Sequence, residues 1–170
     1  MKSEESCCRL RSEMTHQVYL GLGSNLGDRE ECIRKAIELI GERVGAVVRQ
    51  SSLIETEPWG FESENRFLNG VIVCETTLTP QEVLKATQQI EKELGKRKKH
   101  ATKREKSSHP EGRQQIIHSS LFTFHFKDRP IDIDILLYDD LQVDEPNLKI
   151  PHPLMHERDF VMIPLEEVKR

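Results

Sequence analysis

The run from Ile131 to Ile135 alternates strictly between isoleucine and aspartate. Side chains of a β-strand point alternately to opposite faces, so the run predicts a strand that buries its isoleucines and turns Asp132 and Asp134 to the other face. Two carboxylates in this register have Cα atoms about 6–7 Å apart and can hold one cation or two. Such oxygen ligands suit Mg²⁺, although an ordinary solvated strand face has the same pattern.

Hydrophobic periodicity divides the chain ahead of this strand into five further elements. A strand, a helix, two strands and a second helix are predicted at 18–22, 28–45, 46–54, 67–76 and 79–95. With the strand at 131–138, the order is the split βαβ arrangement. We therefore expect an α+β fold with a ferredoxin-like βαββαβ core, an antiparallel sheet and long catalytic loops. The order alone implies no chemistry, because many functions share it.

The predicted helices carry boundary signals. Capping boxes mark their starts, at Asp28 with Glu31 and at Thr79 with Glu82. Gly95 is expected to end the second helix. Residues 116–126 are β-prone and can form an extra strand, whereas no element is predicted in the apolar stretch 160–165.

Length and charge limit the kind of protein. The 170 residues carry a formal charge of -4, with 36% hydrophobic and 32% charged residues. The length and composition predict a single soluble domain at 17–170 without a membrane span. Residues 1–16 are polar and charged, so we expect a flexible tail there and no signal peptide. The charge gives no general reason to bind nucleic acid. Four cysteines without metal-binding spacing favour the reducing cytoplasm, and we expect a monomer or weak homodimer.

Lysine and arginine dominate residues 92–106. We expect a long basic loop at about 96–128, which ends just before Arg129. Cations beside the Asp132–Asp134 pair suit a magnesium–nucleotide site, because metal and basic side chains share the phosphate charge. A solvated loop without a ligand is the competing interpretation. The chain has no Walker loop and no G-x-G-x-x-G motif, so basic side chains would have to hold the phosphate.

Two smaller clusters also suggest binding. Asn69 interrupts the apolar register of its strand, with Phe67 on the same face two residues earlier. An amide beside an aromatic ring suits a planar heterocycle, while an edge strand with one polar residue is the plainer alternative. His152 lies between two prolines and is followed by Arg158 and Phe160. A histidine in that setting can be loop structure alone.

In this order the segments resemble the 6-hydroxymethyl-7,8-dihydropterin pyrophosphokinases of folate synthesis. Each motif is weak alone, but the ordered set runs from Val18 nearly to the C-terminus. The matching stretches are YLGLGSNLG at 19–27, TEPWG at 56–60, FLN at 67–69, IE at 90–91, RPIDIDILL at 129–137, and PHP at 151–153 with Arg158 and Phe160. The resemblance implies an enzyme that moves the β,γ-diphosphate of ATP onto the pterin hydroxymethyl group and releases AMP.

The resemblance also implies roles for individual residues. Asp132 and Asp134 would hold two magnesium ions, and Arg129 would act on the phosphates. The pterin would be sandwiched by Phe67 and Phe160, read at its edge by Asn69, and contacted by backbone groups near Thr56 and Trp59. The remaining ATP-binding residues would be Gln88, Glu91, Ile135, Lys149, His152 and Arg158.

One region departs from the family pattern. The family usually places two arginines just after the glycine that matches Gly95, whereas this chain has Lys96 and Lys98. We expect both lysines to act on the phosphates of ATP, as point charges in place of bidentate guanidinium groups. The stretch between them and Arg129 is also longer than in compact members.

Other functions fit parts of the pattern. An RNA-recognition-like binding module shares the order of elements, but it needs exposed aromatic residues on its central strands, and the first strand offers only Tyr19. Another magnesium-dependent kinase or hydrolase would give different products from ATP. An inactive relative would bind the ligands without turnover.

Overall fold

The computed structural model describes residues 14–60, 62–97 and 128–170, apart from the side chains of residues 96 and 97. Its elements are β1 (His16–Ser24), α1 (Arg29–Arg43), β2 (Ala46–Gln50), β3 (Ile54–Thr56), β4 (Phe67–Thr76), α2 (Pro80–Arg97), β5 (Asp132–Tyr138), β6 (Val143–Glu145), β7 (Leu148–Ile150), a 3-10 turn (Met155–Glu157) and α3 (Asp159–Lys169).

The strands form one antiparallel sheet and a separate hairpin. Strands β2, β4, β1 and β5 lie side by side in that order, and β3 also pairs with β4. Strands β6 and β7 pair with each other. The predicted α+β class with an antiparallel sheet is confirmed. No helix in the described ranges is long and apolar enough to cross a membrane.

Different helices cover the two faces of the sheet. Leu20 of β1 and Ile133 of β5 belong to one buried cluster with Ile40 of α1, and α2 contributes to the same cluster. On the opposite face, Val73 of β4 packs with Leu165 of α3. Neighbouring residues of a strand point to opposite faces, and the apolar run Val71–Cys74 of β4 is accordingly buried on both sides of the sheet.

The predicted helix starts are confirmed. The Glu31 N–H donates to Oδ1 of Asp28 at 3.0 Å. The Glu82 N–H donates to Oγ1 of Thr79 at 3.3 Å, and the Thr79 N–H donates to Oε2 of Glu82 at 2.8 Å. These bonds satisfy N–H groups that have no partner within a helix.

Two predicted boundaries are wrong. The strand expected at 46–54 is interrupted at residues 51–53, where Ser51 bonds to β4: its N–H donates to the carbonyl of Val71 and its Oγ accepts the Val71 N–H, both at 2.9 Å. The second helix does not end at Gly95 but continues to Arg97. An isolated glycine weakens a helix by only about 1 kcal/mol, which neighbouring contacts can offset.

Two elements were not predicted. The β6–β7 hairpin occupies a stretch that was expected to be loop, and α3 occupies the apolar stretch near the C-terminus. Pro164 lies inside α3, where it removes one helical hydrogen bond. The expected extra strand at 116–126, most of the basic loop at 96–128 and most of the tail at 1–16 lie outside the described residues.

Candidate active site

Asp132 and Asp134 lie on one face of β5, as the alternation predicts. Opposite them on β1 are Gly23 and Gly21, respectively. Burial, and secondarily the charge of Asp134, raises the pKa of Asp132 to about 7. Burial also raises the pKa of Asp134. Two neighbouring carboxyl groups that are partly shielded from water therefore favour a cation that would neutralise them.

A third carboxyl group approaches from α2. Oε1 of Glu91 accepts the backbone N–H of Ile133 at 2.7 Å, so the helix is fixed against β5 beside the aspartates. Burial, and then the charge of Asp132, raises the pKa of Glu91 to about 7. Three carboxyl groups, those of Glu91, Asp132 and Asp134, therefore lie near one another, whereas the alternation predicts only the two aspartates.

Two arginines lie beside the aspartates. Nη1 of Arg129 donates to Oδ1 of Asp132 at 3.3 Å. The Arg158 residue is buried, with 7% exposure, and its guanidinium carbon lies 4.5 Å from the Trp59 ring centroid and 5.7 Å from that of Phe160. Burial lowers the pKa of Arg158, while the aspartate charges oppose that effect. Arg158 thus lies near both the aspartate charges and the aromatic rings, while Arg129 contacts Asp132 directly.

The predicted pterin-binding residues surround one cleft. Thr56, Trp59, Phe67, Asn69 and Phe160 all line it, together with Arg129, Asp132, Asp134 and Arg158. Pairing of β3 with β4 sets Thr56 opposite Phe67. Nδ2 of the buried Asn69 donates to Oγ1 of Thr56 at 2.7 Å. That bond orients the amide so that its oxygen faces Gly23. A Cβ atom added at Gly23 would lie 3.1 Å from Oδ1 of Asn69.

Sequence reasoning missed the glycine floor of this cleft. Gly21 and Gly23 line it from β1, whereas Leu20 and Leu22 on either side of Gly21 belong to the buried core. A Cβ at Gly21 would lie 3.4 Å from the Leu136 side chain. Glycine at every second position of a strand is the available signal, because it leaves one face of the strand flat while the other face packs.

Five predicted ATP-binding residues do not line the cleft. Gln88 is exposed on α2, Glu91 lies beside β5, and the Ile135 side chain is buried in the core, so a ligand can reach only its backbone. Nζ of Lys149 lies 2.8 Å from Oδ1 of Asp144 on the hairpin. The His152 N–H donates to the carbonyl of Leu136 at 3.0 Å. These residues lie on α2, β5 and the segments that follow β5.

His152 is the buried polar member of that group. Its exposure is 8%, and its Nδ1 accepts the Leu154 N–H at 3.3 Å. Burial, and then the positive charge of Arg158, lowers the pKa of His152 to about 4. The imidazole is therefore neutral at pH 7. The Lys96 side chain and the whole of Lys98 lie outside the described residues, so their roles stay predictions.

The donors beside the cleft fit a hard cation such as Mg²⁺. Asp132 and Asp134 supply carboxylate oxygens in a buried setting that raises the pKa of both, and nearby arginines can meet phosphate oxygens. In the described part of the chain, no group of three or more His, Cys, Asp and Glu residues is arranged to hold a metal by itself. Phosphate oxygens and water would therefore complete the coordination.

Comparison with known proteins gives one consistent family. The family model described as 7,8-dihydro-6-hydroxymethylpterin-pyrophosphokinase (HPPK) matches residues 19–170. Proteins named 2-amino-4-hydroxy-6-hydroxymethyldihydropteridine pyrophosphokinase are similar along most of their length. One from Porphyromonas gingivalis is 45% identical over 152 residues, covering 89% of each chain. One from Aquifex aeolicus is 39% identical, covering 89% of this chain and 79% of its own.

Solved structures support the fold. This chain resembles an HPPK-DHPS structure in complex with substrates, with a TM-score of 0.58 and 14% identity over 91% of its length. A Plasmodium falciparum HPPK-DHPS structure with pterin and p-hydroxybenzoate gives a TM-score of 0.60 and 16% identity over 90% of this chain. This chain spans 40% and 38%, respectively, of those longer chains.

Proposed function

The chain belongs to the 7,8-dihydro-6-hydroxymethylpterin-pyrophosphokinase family, and we propose that the cleft between β1, β4, β5 and α3 is its active site. The enzyme transfers the β,γ-diphosphate of ATP to 6-hydroxymethyl-7,8-dihydropterin in folate synthesis. One observation carries the proposed site: half-buried carboxylates and two arginines border the same cleft as Phe67, Asn69 and Phe160. A phosphate-binding region and a ring-binding region are thus adjacent.

Asp132 and Asp134 hold magnesium in this proposal, with two ions expected. When bound, the metal draws charge from the phosphate oxygens and orients the triphosphate. The raised pKa of Asp132, about 7, supports this role because bound cation would replace the missing solvation. Arg129 keeps one nitrogen on Asp132, and its other nitrogens can meet phosphate.

The pterin lies between Phe67 and Phe160 in this proposal. Asn69 reads the ring edge, because its amide is already oriented by Thr56. Backbone groups near Thr56 and Trp59 supply further hydrogen bonds. Flat aromatic surfaces and one fixed amide suit a flat, polar heterocycle better than a flexible substrate.

ATP approaches from the other side of the carboxylates. We assign its binding to Gln88, Glu91, the Ile135 backbone, Lys149, His152 and Arg158, with Lys96 and Lys98 acting on the phosphates. A neutral His152 supports this assignment, because an uncharged imidazole can accept or donate a hydrogen bond to the nucleotide. Lys149 is available at the hairpin, where its present partner, Asp144, is largely exposed at 85% of its side chain.

The transfer is a displacement at the β-phosphorus. The pterin hydroxymethyl oxygen bonds to that phosphorus, and the bond to the oxygen that bridges to the α-phosphorus breaks. The bridging oxygen leaves on AMP, and the hydroxyl proton is released to water. Arg129 and Arg158 lie on the cleft wall and stabilise the negative charge that moves with the diphosphate.

The finer features of the fold and setting are also proposals. The order β2-β4-β1-β5, with helices after β1 and β4, supports a ferredoxin-like core. Buried free thiols at Cys32 and Cys74 support a cytoplasmic location. Tyr19 packs beneath α3, which covers the sheet face that an RNA-recognition module would use for bases. We propose small-molecule partners without nucleic acid or membrane, and a monomer or weak homodimer.

The decisive experiment identifies the products from ATP, Mg²⁺ and 6-hydroxymethyl-7,8-dihydropterin. We expect AMP and a pterin diphosphate in equal amounts. Phosphorus NMR and chromatography identify and quantify both products. ADP as the pterin-dependent product would indicate an ordinary kinase. Free phosphate or diphosphate with unmodified pterin would indicate a hydrolase. Either result, or binding of both ligands without turnover, would contradict the proposed function.

A further inference from the structure

Three hydrogen bonds converge on the carboxylate of Asp128. Nδ2 of Asn25 donates to Oδ1 at 2.6 Å, and Oγ of Ser63 donates to the same oxygen at 2.6 Å. Nδ2 of Asn65 donates to Oδ2 at 3.0 Å. The donors come from the turn after β1 and from the β3–β4 connection (57–60 and 62–66 among the described residues), which are distant in sequence. Asp128 therefore ties three chain segments together.

Asn25 in turn hydrogen-bonds to the backbone of Arg129. Its Oδ1 accepts the Arg129 N–H at 2.8 Å, and its own N–H donates to the Arg129 carbonyl at 3.2 Å. Asn25 is 3% exposed, so these bonds are shielded from water. The backbone of Arg129 is thus held by a residue that Asp128 itself orients, and Nη1 of Arg129 reaches Asp132.

The β3–β4 connection has a second anchor at its far end. Nη1 of Arg29 donates to the carbonyl of Arg66 at 2.9 Å, and Nη2 of Arg29 donates to Glu55 at 2.6 Å. Loss of the bonds from Ser63 and Asn65 to Asp128 would therefore loosen the middle of the connection without releasing its end, and would leave the 3.4 Å bond from Nδ2 of Asn25 to the Asn65 carbonyl as a link between it and Asn25. Trp59, on the cleft wall, belongs to the same connection.

We propose that Asp128 is a positioning residue that couples the pterin-binding wall of the cleft to Arg129 on the phosphate side. The inference rests on the proposed function, because it takes the two sides of the cleft as the sites of the two substrates. A shift of the β3–β4 connection on pterin binding is transmitted by the hydrogen bonds of Asp128 and Asn25 to Arg129. Each substrate then binds more tightly when the other is present, since coupling between two sites is reciprocal.

The test is a binding cycle measured by calorimetry. The affinity for 6-hydroxymethylpterin is determined with and without Mg²⁺ and a non-hydrolysable ATP analogue, and the ratio of the two affinities measures the coupling. The variants are Asp128→Asn, which replaces an acceptor with a donor, and the double variant Ser63→Ala/Asn65→Ala, which removes only the surface arm. Glu64→Ala is the matched control, because Glu64 lies exposed between those two residues.

We expect both test variants to lower the coupling ratio by about five- to tenfold, within the usual range for coupled sites, while Glu64→Ala keeps the wild-type ratio. Either a wild-type ratio near one or unchanged ratios in the two folded variants would overturn the inference. Circular dichroism shows which variants fold, and the double variant decides the matter if Asp128→Asn does not. Wild-type product formation is followed separately, so failure of the proposed function is recognised by itself.

Discussion

At the scale of single residues, Asp132 and Asp134 occupy positions that cost the metal-free protein stability. Burial raises the pKa of both groups, which means that their charged forms are less favourable in the folded chain than in water. A residue that packs in the core for stability alone would not be acidic. The proposed metal site would explain this position, at some expense to the unliganded fold.

Replacing either aspartate with asparagine should separate activity from stability. We expect Asp132→Asn and Asp134→Asn each to lower turnover by at least about 100-fold, because a magnesium ligand is lost. The metal-free variants should melt a few degrees higher than wild type at pH 8, since a buried charge is removed. Asp140→Asn, at an exposed site after β5, is the control and should change neither quantity. Near-normal turnover in either test variant would contradict the metal assignment.

Trp59 also makes a contact that its predicted pterin-binding role does not include. Its ring lies 4.5 Å from the guanidinium carbon of Arg158, and such a contact stabilises a shielded cation by about 1–2 kcal/mol. We expect Trp59→Leu to raise the KM for ATP about three- to tenfold, while Trp59→Phe has a smaller effect because a ring remains. Steady-state kinetics with each substrate varied in turn measures this. A change confined to the KM for the pterin would contradict the role in holding Arg158.

At the scale of elements, α3 links the core to the cleft. The first turn of α3 carries Phe160, and Arg158 immediately precedes the helix. Further along the helix, Leu165 and Val168 are buried against the sheet. The burial of the second half therefore fixes the position of the first half. A helix with an internal proline depends on such packing, because it lacks one of its own hydrogen bonds.

Truncating Leu165 tests this dependence. Leu165 is completely buried, so Leu165→Ala should lower the free energy of unfolding by about 2–5 kcal/mol. Pterin affinity should fall as well, because Phe160 is carried by the same helix. Urea denaturation measures the first effect, and calorimetry measures the second under conditions where the variant is folded. Glu166→Ala, exposed on the same helix, should change stability by no more than about 0.5 kcal/mol.

Elements with a strong period could be predicted from the sequence. The alternation in β5 and the capping residues Asp28 and Thr79 are local signals, and the structure has these features as predicted. Helix α3 could not be predicted in this way, because Pro164 argues against a helix and only packing on the sheet favours it. The β6–β7 hairpin consists of two three-residue strands, which are too short to show a period.

The candidate site also combines features that local sequence patterns predict with features that depend on the completed fold. Its residues were named from ordered motifs, and the structure brings nine of them to one cleft. The bonds of Asp128 to Asn25 and Ser63 were not predicted, because they join segments 103 and 65 residues apart. Pairing at that separation depends on the completed fold and leaves no period or spacing in the sequence. The glycine floor at Gly21 and Gly23 did leave a signal, which the motif interpretation passed over.

At the scale of the whole molecule, the buried titratable groups make stability depend on pH. The folded protein holds protons on Glu91 and Asp132 up to about pH 7, and the pKa of Asp134 is also raised, whereas the unfolded chain releases them near pH 4. These three groups therefore lower the free energy of unfolding as the pH rises from about 4 to 7. His152 acts in the opposite direction, because its pKa is lowered to about 4 by burial.

The carboxylates outnumber the histidine, so the metal-free protein should lose stability between pH 5 and pH 8. Surface carboxylates do not alter this sign, because the pKa values of Glu31, Glu55 and Glu82 are lowered by their partners and they titrate below that range. We expect the melting temperature without Mg²⁺ to fall by several degrees across the interval, since about 1.4 kcal/mol accompanies each pKa unit. Scanning calorimetry in buffers of constant ionic strength, with a chelator present, makes the measurement.

Magnesium with a non-hydrolysable ATP analogue should reverse this slope. Protons compete with the metal for the same carboxylates, so the ligands should raise the melting temperature much more at pH 8 than at pH 5. In Asp132→Asn the pH dependence without metal should be shallower, because one of the three groups no longer titrates. In His152→Asn it should be steeper, because the opposing group is gone. If the melting temperature of the metal-free wild type instead rises steadily from pH 5 to pH 8, the pKa values of these carboxyl groups are not raised by burial and by each other's charge, and the prediction is wrong.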